Sequence, residues 1–334
     1  AFGLIRLLRQ DAPSLVERVR DSGILVVATR RSPSTYYDGA MGPDGFEYAL
    51  VQAFARHLGV SVRFVFPRTL EALLDATARG SVHLAAAGLT ITRSREQLLS
   101  FSLPYRFVTE QIIYRRGAKK PRSLTEVGPN DLHVVANSSH EETLRQLQAT
   151  EFPALSWQRH AGNSTEHLLS ELDQGKLRLT VADSDEAALS RRVFAYLATA
   201  FELGDPQAIA WAFSRTGDDS LLGAANDFVQ LIEEDGRLQR LRARYFAHAG
   251  RLNFVDTRDF WRHVRDRLPQ LIPHFEDAEE KTGIDWRLLA AIGYQESHWR
   301  PDAVSPTGVR GIMMLTQATA EQMGIKDRND PQQS

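Results

Sequence analysis

The stretch that most restricts the fold runs from Ile24 to Ala87. Ile24–Ala28 (ILVVA) is an uninterrupted apolar run, the pattern of a strand covered on both faces of its sheet. Phe46, Leu50, Phe54 and Leu58 then recur at four-residue spacing between Gly45 and Gly59, which marks a helix stopped by a glycine. Val60–Phe66 alternates as a strand, Thr69–Ala78 is helical up to Gly80, and Val82–Ala87 is a third apolar run. Strand, helix, strand, helix, strand in so short a span requires parallel pairing through right-handed crossovers, and hence an α/β lobe.

The pattern then repeats. After the crossing segment Gln111–Tyr114 and the basic connector Lys119–Arg122, Leu132–Ala136 reads as a strand and Ser138-Ser139 as the cap of a helix through Leu144 and Leu147. Leu177–Ala182 is a further strand ending at Asp183. After Gly204-Asp205-Pro206, Ala208–Phe213 reads as a strand and Leu221–Glu234 as a helix. Two α/β lobes joined by crossing segments enclose a cleft, and ligands of open α/β sheets sit beyond the carboxyl ends of the strands. The Arg and Lys clusters around Arg115 and Arg191 read as solvated faces.

Residues 22–248 resemble the amino-acid-type periplasmic solute-binding domains. The likeness is carried by Gly45-Phe46-Glu47, by Leu89 through Arg95 (LTITRSR), by Phe101-Ser102-Leu103-Pro104-Tyr105, and by Asn226, Asp235-Gly236 and Tyr245-Phe246. The resemblance implies that Arg95 clamps a ligand carboxylate, as a planar guanidinium does through two charge-assisted bonds. It implies a hydroxyl and an amide from Thr90, amide donors at a helix start from Ser139, an acid for the ligand ammonium from Asp183, and an aromatic cover from Tyr36 or Tyr37. The lobes would be 22–112 with 207–248, and 113–206.

A second constellation lies in Leu288–Leu315. Leu288, Leu289 and Ile292, with Gln295, share a helical face, and Pro301 forbids continuation. Glu296 then falls in the last turns, against Trp299, where loss of water would raise its pKa toward that of a general acid. Ser305-Pro306-Thr307-Gly308 is turn chemistry, and Gly311-Ile312-Met313-Met314 opens a second apolar run. Upstream, Val255–Phe275 and Glu276–Gly283 read as helices broken at Pro269 and Pro273, and Asp285 as the cap of the Glu296 helix. Glu296-Ser297, Ser305-Pro306-Thr307-Gly308 and Gly311-Ile312-Met313 resemble, in order and spacing, the motifs of lytic transglycosylases with a lysozyme-like domain; Met314 stands where the commoner pattern has Gln. The resemblance implies Glu296 as the acid, with Ser297, Ser305, Gly311, Met313 and Met314 at the sugar.

The two resemblances in this order are those of the membrane-bound lytic transglycosylase F family. The implied organisation is an N-terminal segment 1–21, a two-lobed α/β periplasmic-binding-protein-like domain 22–248, and the start of an all-α lysozyme-like domain, 249–334. The implied reaction is non-hydrolytic cleavage of peptidoglycan glycan strands with 1,6-anhydro ends, under an N-terminal domain that binds an amino acid or muropeptide. It calls for no cofactor and no metal. The family's Ala-Tyr-Asn-Ala-Gly-type motif lies outside this sequence, so the chain as written is expected to be inactive and mobile after Met314. The rival reading is a periplasmic binding or sensor protein with a structural appendage. A net charge of −2 gives no basic field for nucleic acid. No apolar run reaches the ~18 residues of a membrane helix. Phe2–Leu8 offers at most a short peripheral membrane contact, and without an initiator Met or signal peptide the chain looks like a processed product. The expected place is the periplasm of a Gram-negative bacterium, on the inner face of the outer membrane.

Overall fold

The structure, a computed structural model, describes residues 13–39, 42–215, 217–247, 254–305 and 307–334. The chain divides into two compact units, Ala1–Leu252 and Asn253–Ser334. Phe2–Leu8 and Pro306 lie outside the described residues.

The first described helix, α1 (Leu15–Ser22), falls in a stretch read only as a terminal segment. Ser14 and Glu17 close a reciprocal capping box at its start, and Gly23 ends it at φ +68°. The Leu15 amide donates to Asp218 at 2.6 Å, which ties the helix to the body of the unit. Next come β1 (Ile24–Ala28), a hairpin of β2 (Tyr37–Gly39) and β3 (Gly42–Asp44), α2 (Phe46–Leu58), β4 (Ser61–Val65), α3 (Leu70–Ala78) and β5 (Leu84–Thr90). β1 pairs in parallel with both β4 and β5, as the crossover pattern requires. Short α4 (Arg93–Glu96) and β6 (Leu99–Phe101) lead into β7 (Arg106–Arg115), which carries the chain into the second lobe.

That lobe contains β8 (Leu132–Val135), α5 (Ser139–Thr150), β9 (Gln158–His160), α6 (Thr165–Asp173), β10 (Leu179–Asp183) and α7 (Ser184–Ser190). The return is β11 (Leu197–Ser214), followed by α8 (Ser220–Glu234) and α9 (Arg237–Phe246). The strand expected from Ala208 begins instead at Leu197 and includes Gly204-Asp205-Pro206. The register against β7 slips between Leu203 and Gln207, so an irregularity absorbs the Gly and Pro without ending the strand. Among the described residues β2 and β3 pair with each other, and the other strands form one sheet in the order β4-β1-β5-β11-β7-β10-β8-β9, with β6 also on β11. Only β7 and β11 belong to both lobes. Phe54, Trp211 and Phe228 fill the first lobe beneath α2 and α8, and Leu132, Leu144 and Val181 fill the second.

The second unit is helical: α10 (Phe254–Asp266), α11 (Leu268–Thr282), α12 (Trp286–Ser297) and α13 (Gln317–Met323). The break expected at the prolines falls instead at Arg267, and α11 continues through Pro273. Pro269 lies in the first turn, where its missing N–H has no intrahelical acceptor to lose. The segment after Met314, expected to be loose, forms α13 and folds back. The Arg328 guanidinium donates to the carbonyls of Gly308 and Leu315, both at 3.1 Å.

Candidate ligand cleft and candidate active site

In the first unit, a cavity of about 380 Å³ is lined by Arg30, Gly88 and Arg95 from one lobe and by Ser139, His140, Asp183 and Glu186 from the other. Arg95 is set by α4, which Thr92 caps. Its Nη1 donates to the Thr90 carbonyl at 2.8 Å. Burial draws its pKa down to about 10, which leaves it charged at neutral pH. Across the cavity Ser138 caps α5, so Ser139 sits in the first turn, at the positive end of the helix. Asp183 ends β10 with its Oδ1 3.2 Å from His140 Nε2. Burial opposes the charge on His140, but the hydrogen bond and charge of Asp183 outweigh it and lift the imidazole to about 9. Burial likewise works to raise Asp183, and His140 carries it below the ordinary carboxylate range. A Ser94–Glu142 bond of 2.6 Å joins the lobes beside this pair.

The cavity wall is fixed from behind by Glu47, a buried carboxylate at the start of α2. It accepts the Gly88 amide at 3.0 Å, the Trp211 indole N–H at 3.0 Å and the Tyr105 hydroxyl. Burial pushes its pKa up, against the pull of these donors. Donors from β5, from β11 and from the residue just before β7 therefore converge on one side chain, which holds Gly88 in place with φ at +62°.

In the second unit α12 starts at Asp285, whose side chain accepts the Arg287 amide. It ends at His298, in the left-handed region at φ +53°, and Trp299 follows at +56°. Pro301 is thus not what stops the helix. Two successive non-glycine residues there cost roughly 1–3 kcal/mol each. The Trp299 indole, 3% exposed, donates to the Ala290 carbonyl at 2.7 Å, and Arg267 donates to the His298 carbonyl at 2.7 Å. These contacts hold the turn directly after Glu296. Glu296 itself is exposed, so the expected desolvation against Trp299 is absent. The buried face of α12 is also not the one read from spacing. Leu288 and Ile292 are 55% and 42% exposed, while Ala290, Gly293 and Ser297 are buried.

Gly293 explains the choice of face. A Cβ there would lie 2.9 Å from Ile312 Cγ2 and 3.5 Å from Met313 Sδ, so the Gly311–Met314 turn packs directly on α12, one turn before Glu296. Gly311 has φ +85°, and a Cβ on it would fall 1.8 Å from the Arg328 carbonyl oxygen. Met314 is also left-handed, at φ +50°. Ser305 organises its own turn by accepting the Thr307 and Val309 amides at 3.2 and 3.3 Å. Ser297 is buried, and its hydroxyl donates to the Gly293 carbonyl at 3.0 Å.

Residues 25–248 match the model of the bacterial extracellular solute-binding proteins, family 3, and residues 273–334 match the transglycosylase SLT domain. A membrane-bound lytic murein transglycosylase F from Pseudomonas putida is 42% identical over 337 residues, covering 100% of this chain and 69% of the relative. The chain belongs to the membrane-bound lytic murein transglycosylase F family. Another relative, membrane-bound lytic murein transglycosylase F 1 of Alkalilimnicola ehrlichii, is 47% identical over 321 residues, 96% of this chain and 65% of its own length. The chain thus spans about two thirds of these family members. Solved structures similar to the first unit include a mutant of ArgBP from T. maritima (TM-score 0.61, 20% identical, 70% of this chain and 99% of that one). The substrate-binding protein AbpA from Streptococcus pneumoniae gives a TM-score of 0.61 at 21% identity, over 70% and 98%. At these identities the likeness shows the fold: a two-lobed α/β periplasmic-binding-protein fold, here followed by a helical SLT unit.

Of the residues named from the family pattern, the structure brings Arg95, Ser139 and Asp183 to one cavity, with the Thr90 carbonyl beneath Arg95. Tyr36 and Tyr37 go elsewhere. They line a separate pocket of about 510 Å³ with Asp44, Arg192 and Tyr245, and Tyr36 is packed edge-on against Tyr48 and Phe66. Sequence reading missed Arg30, His140 and Glu186. Arg30 follows the end of β1 and His140 follows Ser139 in the first turn of α5, positions at the carboxyl ends of strands that could have marked them.

Proposed function

We propose that the second unit supplies the acid/base of a peptidoglycan lytic transglycosylase and that the cleft of the first unit binds an amino acid or muropeptide. The observation that carries the first half is Glu296 in the exposed last turn of α12, directly before a strained and well-anchored turn, within the SLT segment. Protonated Glu296 donates to the oxygen of the glycosidic bond between N-acetylmuramic acid and N-acetylglucosamine, and that C–O bond breaks. The substrate N-acetyl group stabilises the developing cation, so no second carboxylate is required. The Glu296 carboxylate then takes the proton of the C6 hydroxyl, and that oxygen closes on C1 to give the 1,6-anhydro ring. No water is consumed. Ser305, Gly311, Met313 and Met314 form the adjoining turns on which a sugar would rest, while Ser297 supports the helix end. Membrane-bound relatives favour a periplasmic, outer-membrane-associated setting. Among the described residues no helix is long and apolar enough to cross a membrane.

Glu296→Gln keeps shape and hydrogen bonding but has no proton to give. Release of anhydro-muropeptides from sacculi, followed by mass on the chain extended to the length of its relatives, should fall by at least ~10²-fold. Near-normal release would remove Glu296 from the mechanism.

In the cleft, Arg95 offers a guanidinium to a ligand carboxylate, the start of α5 offers amides at Ser139, and Asp183 and Glu186 offer carboxylates to an ammonium. Removing Arg95 leaves a bound carboxylate without its partner in a desolvated site, at a cost of ~2–5 kcal/mol. Calorimetry of wild type and Arg95→Ala against amino acids and stem peptides tests this. Equal affinities for a ligand that does bind would dismiss the clamp.

A further inference from the structure

Below the cavity, the antiparallel register of β7 and β10 sets Glu110 directly opposite Asp183. Both side chains are buried, Glu110 completely. Like charges directly opposite on a sheet repel, and burial magnifies the repulsion by removing water. Two of the neighbouring cations have partners of their own. Arg95 is bonded to the Thr90 carbonyl at 2.8 Å, and Arg106 pairs with Asp185 at 2.5 Å. His140 reaches Asp183, but neither oxygen of Glu110 accepts a hydrogen bond, although the Thr143 hydroxyl lies close enough to weigh on its proton affinity. Two carboxylates and one imidazole are thus gathered in a buried cluster, with one acceptor group left unanswered.

We propose that Glu110, His140 and Asp183 form a binding site for a divalent transition cation, with Zn²⁺ the best match to the donor set. One imidazole nitrogen and two carboxylate oxygens suit Zn²⁺ and Co²⁺ better than Mg²⁺ or Ca²⁺, which favour all-oxygen shells. One donor atom from each residue already lies within 4.8 Å of the others, and the His140–Asp183 pair stands at 3.2 Å. Donors held ~2.0–2.2 Å from one tetrahedral ion lie roughly 3.3–3.5 Å apart, so the remaining adjustment falls on the Glu110 side chain. Each donor comes from a separate element, α5 and β10 of the second lobe and β7, which both lobes share, so the set is held by three neighbouring elements. His140 and Asp183 line the cavity and Glu110 does not, so the fourth position of the ion would open toward the cavity. The ion would displace the proton that Asp183 favours on His140, and the competing arrangement keeps that proton and adds one on Glu110, whose carboxyl burial pushes up.

The chain, stripped with chelator and freed of it, is titrated with Zn²⁺ by calorimetry and with Co²⁺ by visible absorption. The expected result is one ion per chain with the intense bands of a low-coordinate Co²⁺ centre. Affinity should fall at least ~10-fold in Glu110→Gln, which keeps the side chain's shape, and likewise in His140→Gln. His133→Gln serves as the control. It removes a half-buried imidazole pair on β8 and β9, whose His133 Nδ1 and His160 Nε2 lie 2.9 Å apart, and should leave binding unchanged. The proposal is overturned if the wild type binds no ion, which would leave the proton as the answer. It is equally overturned if folded Glu110→Gln and His140→Gln bind as the wild type does, or if His133→Gln abolishes binding.

Discussion

At the scale of single residues, the second unit depends on backbone conformations that side-chain type does not announce. Gly311 belongs to a motif read as sugar-binding, yet its first duty is steric, because Arg328 approaches through the space a Cβ would occupy. Gly311→Ala would combine a left-handed alanine with displacement of the Arg328 segment, and should cost about 3 kcal/mol or more. Urea unfolding would show it as an early transition of the second unit with the first unit unmoved; an unchanged midpoint would mean that Arg328 yields freely. Residue types and motif order were legible in the sequence. The left-handed turns at His298, Trp299 and Met314 were not, since none is a glycine and Trp and Met rarely take that conformation. Arg95 was legible through the resemblance carried by Leu89–Arg95, and Asp183 through the resemblance together with its place at a strand end, whereas Glu110 is visible only once the register of β7 and β10 is known.

At the scale of elements, apolar periodicity located the helices well and their buried faces less well. In α2 the spacing and the burial agree, with Phe46, Leu50, Phe54 and Leu58 all inside. In α12 small residues are buried and two large ones exposed, because close approach of the Gly311–Met314 turn selects Gly293 over Leu288 and Ile292. Hydrophobic size is a poor guide where two backbones meet closely. Proline misled in a similar way at Pro273, which sits inside α11 without ending it. An interior proline removes one helical bond, a penalty of ~3 kcal/mol in an unadapted helix, while it stiffens the unfolded chain by only ~0.4–1 kcal/mol. Since α11 has adapted to it, Pro273→Ala should stabilise the second unit by about 1–2 kcal/mol. Thermal melting checks the sign, and a loss of stability would show that the ring itself packs usefully.

At the scale of the whole molecule, two units and a two-lobed first unit were legible from alternating patterns, but the single sheet running through both lobes was not. It depends on β11 continuing through Gly204 and Pro206, residues that usually end strands. That continuity bears on the order in which the chain can complete itself. Among the described residues the inner edge of β5 is covered by β11, and α2, which also packs on β4 and β5, is completed by α8 and α9 from the end of the unit. A chain emerging from its amino end therefore carries β1, β4 and β5 with an unpaired edge until the whole second lobe has been made. Meanwhile β8, α5, β9, α6 and β10 are contiguous and can assemble among themselves. Pulse-labelled hydrogen exchange during refolding should find amides of β8 and β10 protected before those of β5, and the reverse order would refute this. An open, alanine-rich edge strand waiting for a late partner is also where two nascent copies would join, so the newborn chain is at its most sticky just before β11 arrives.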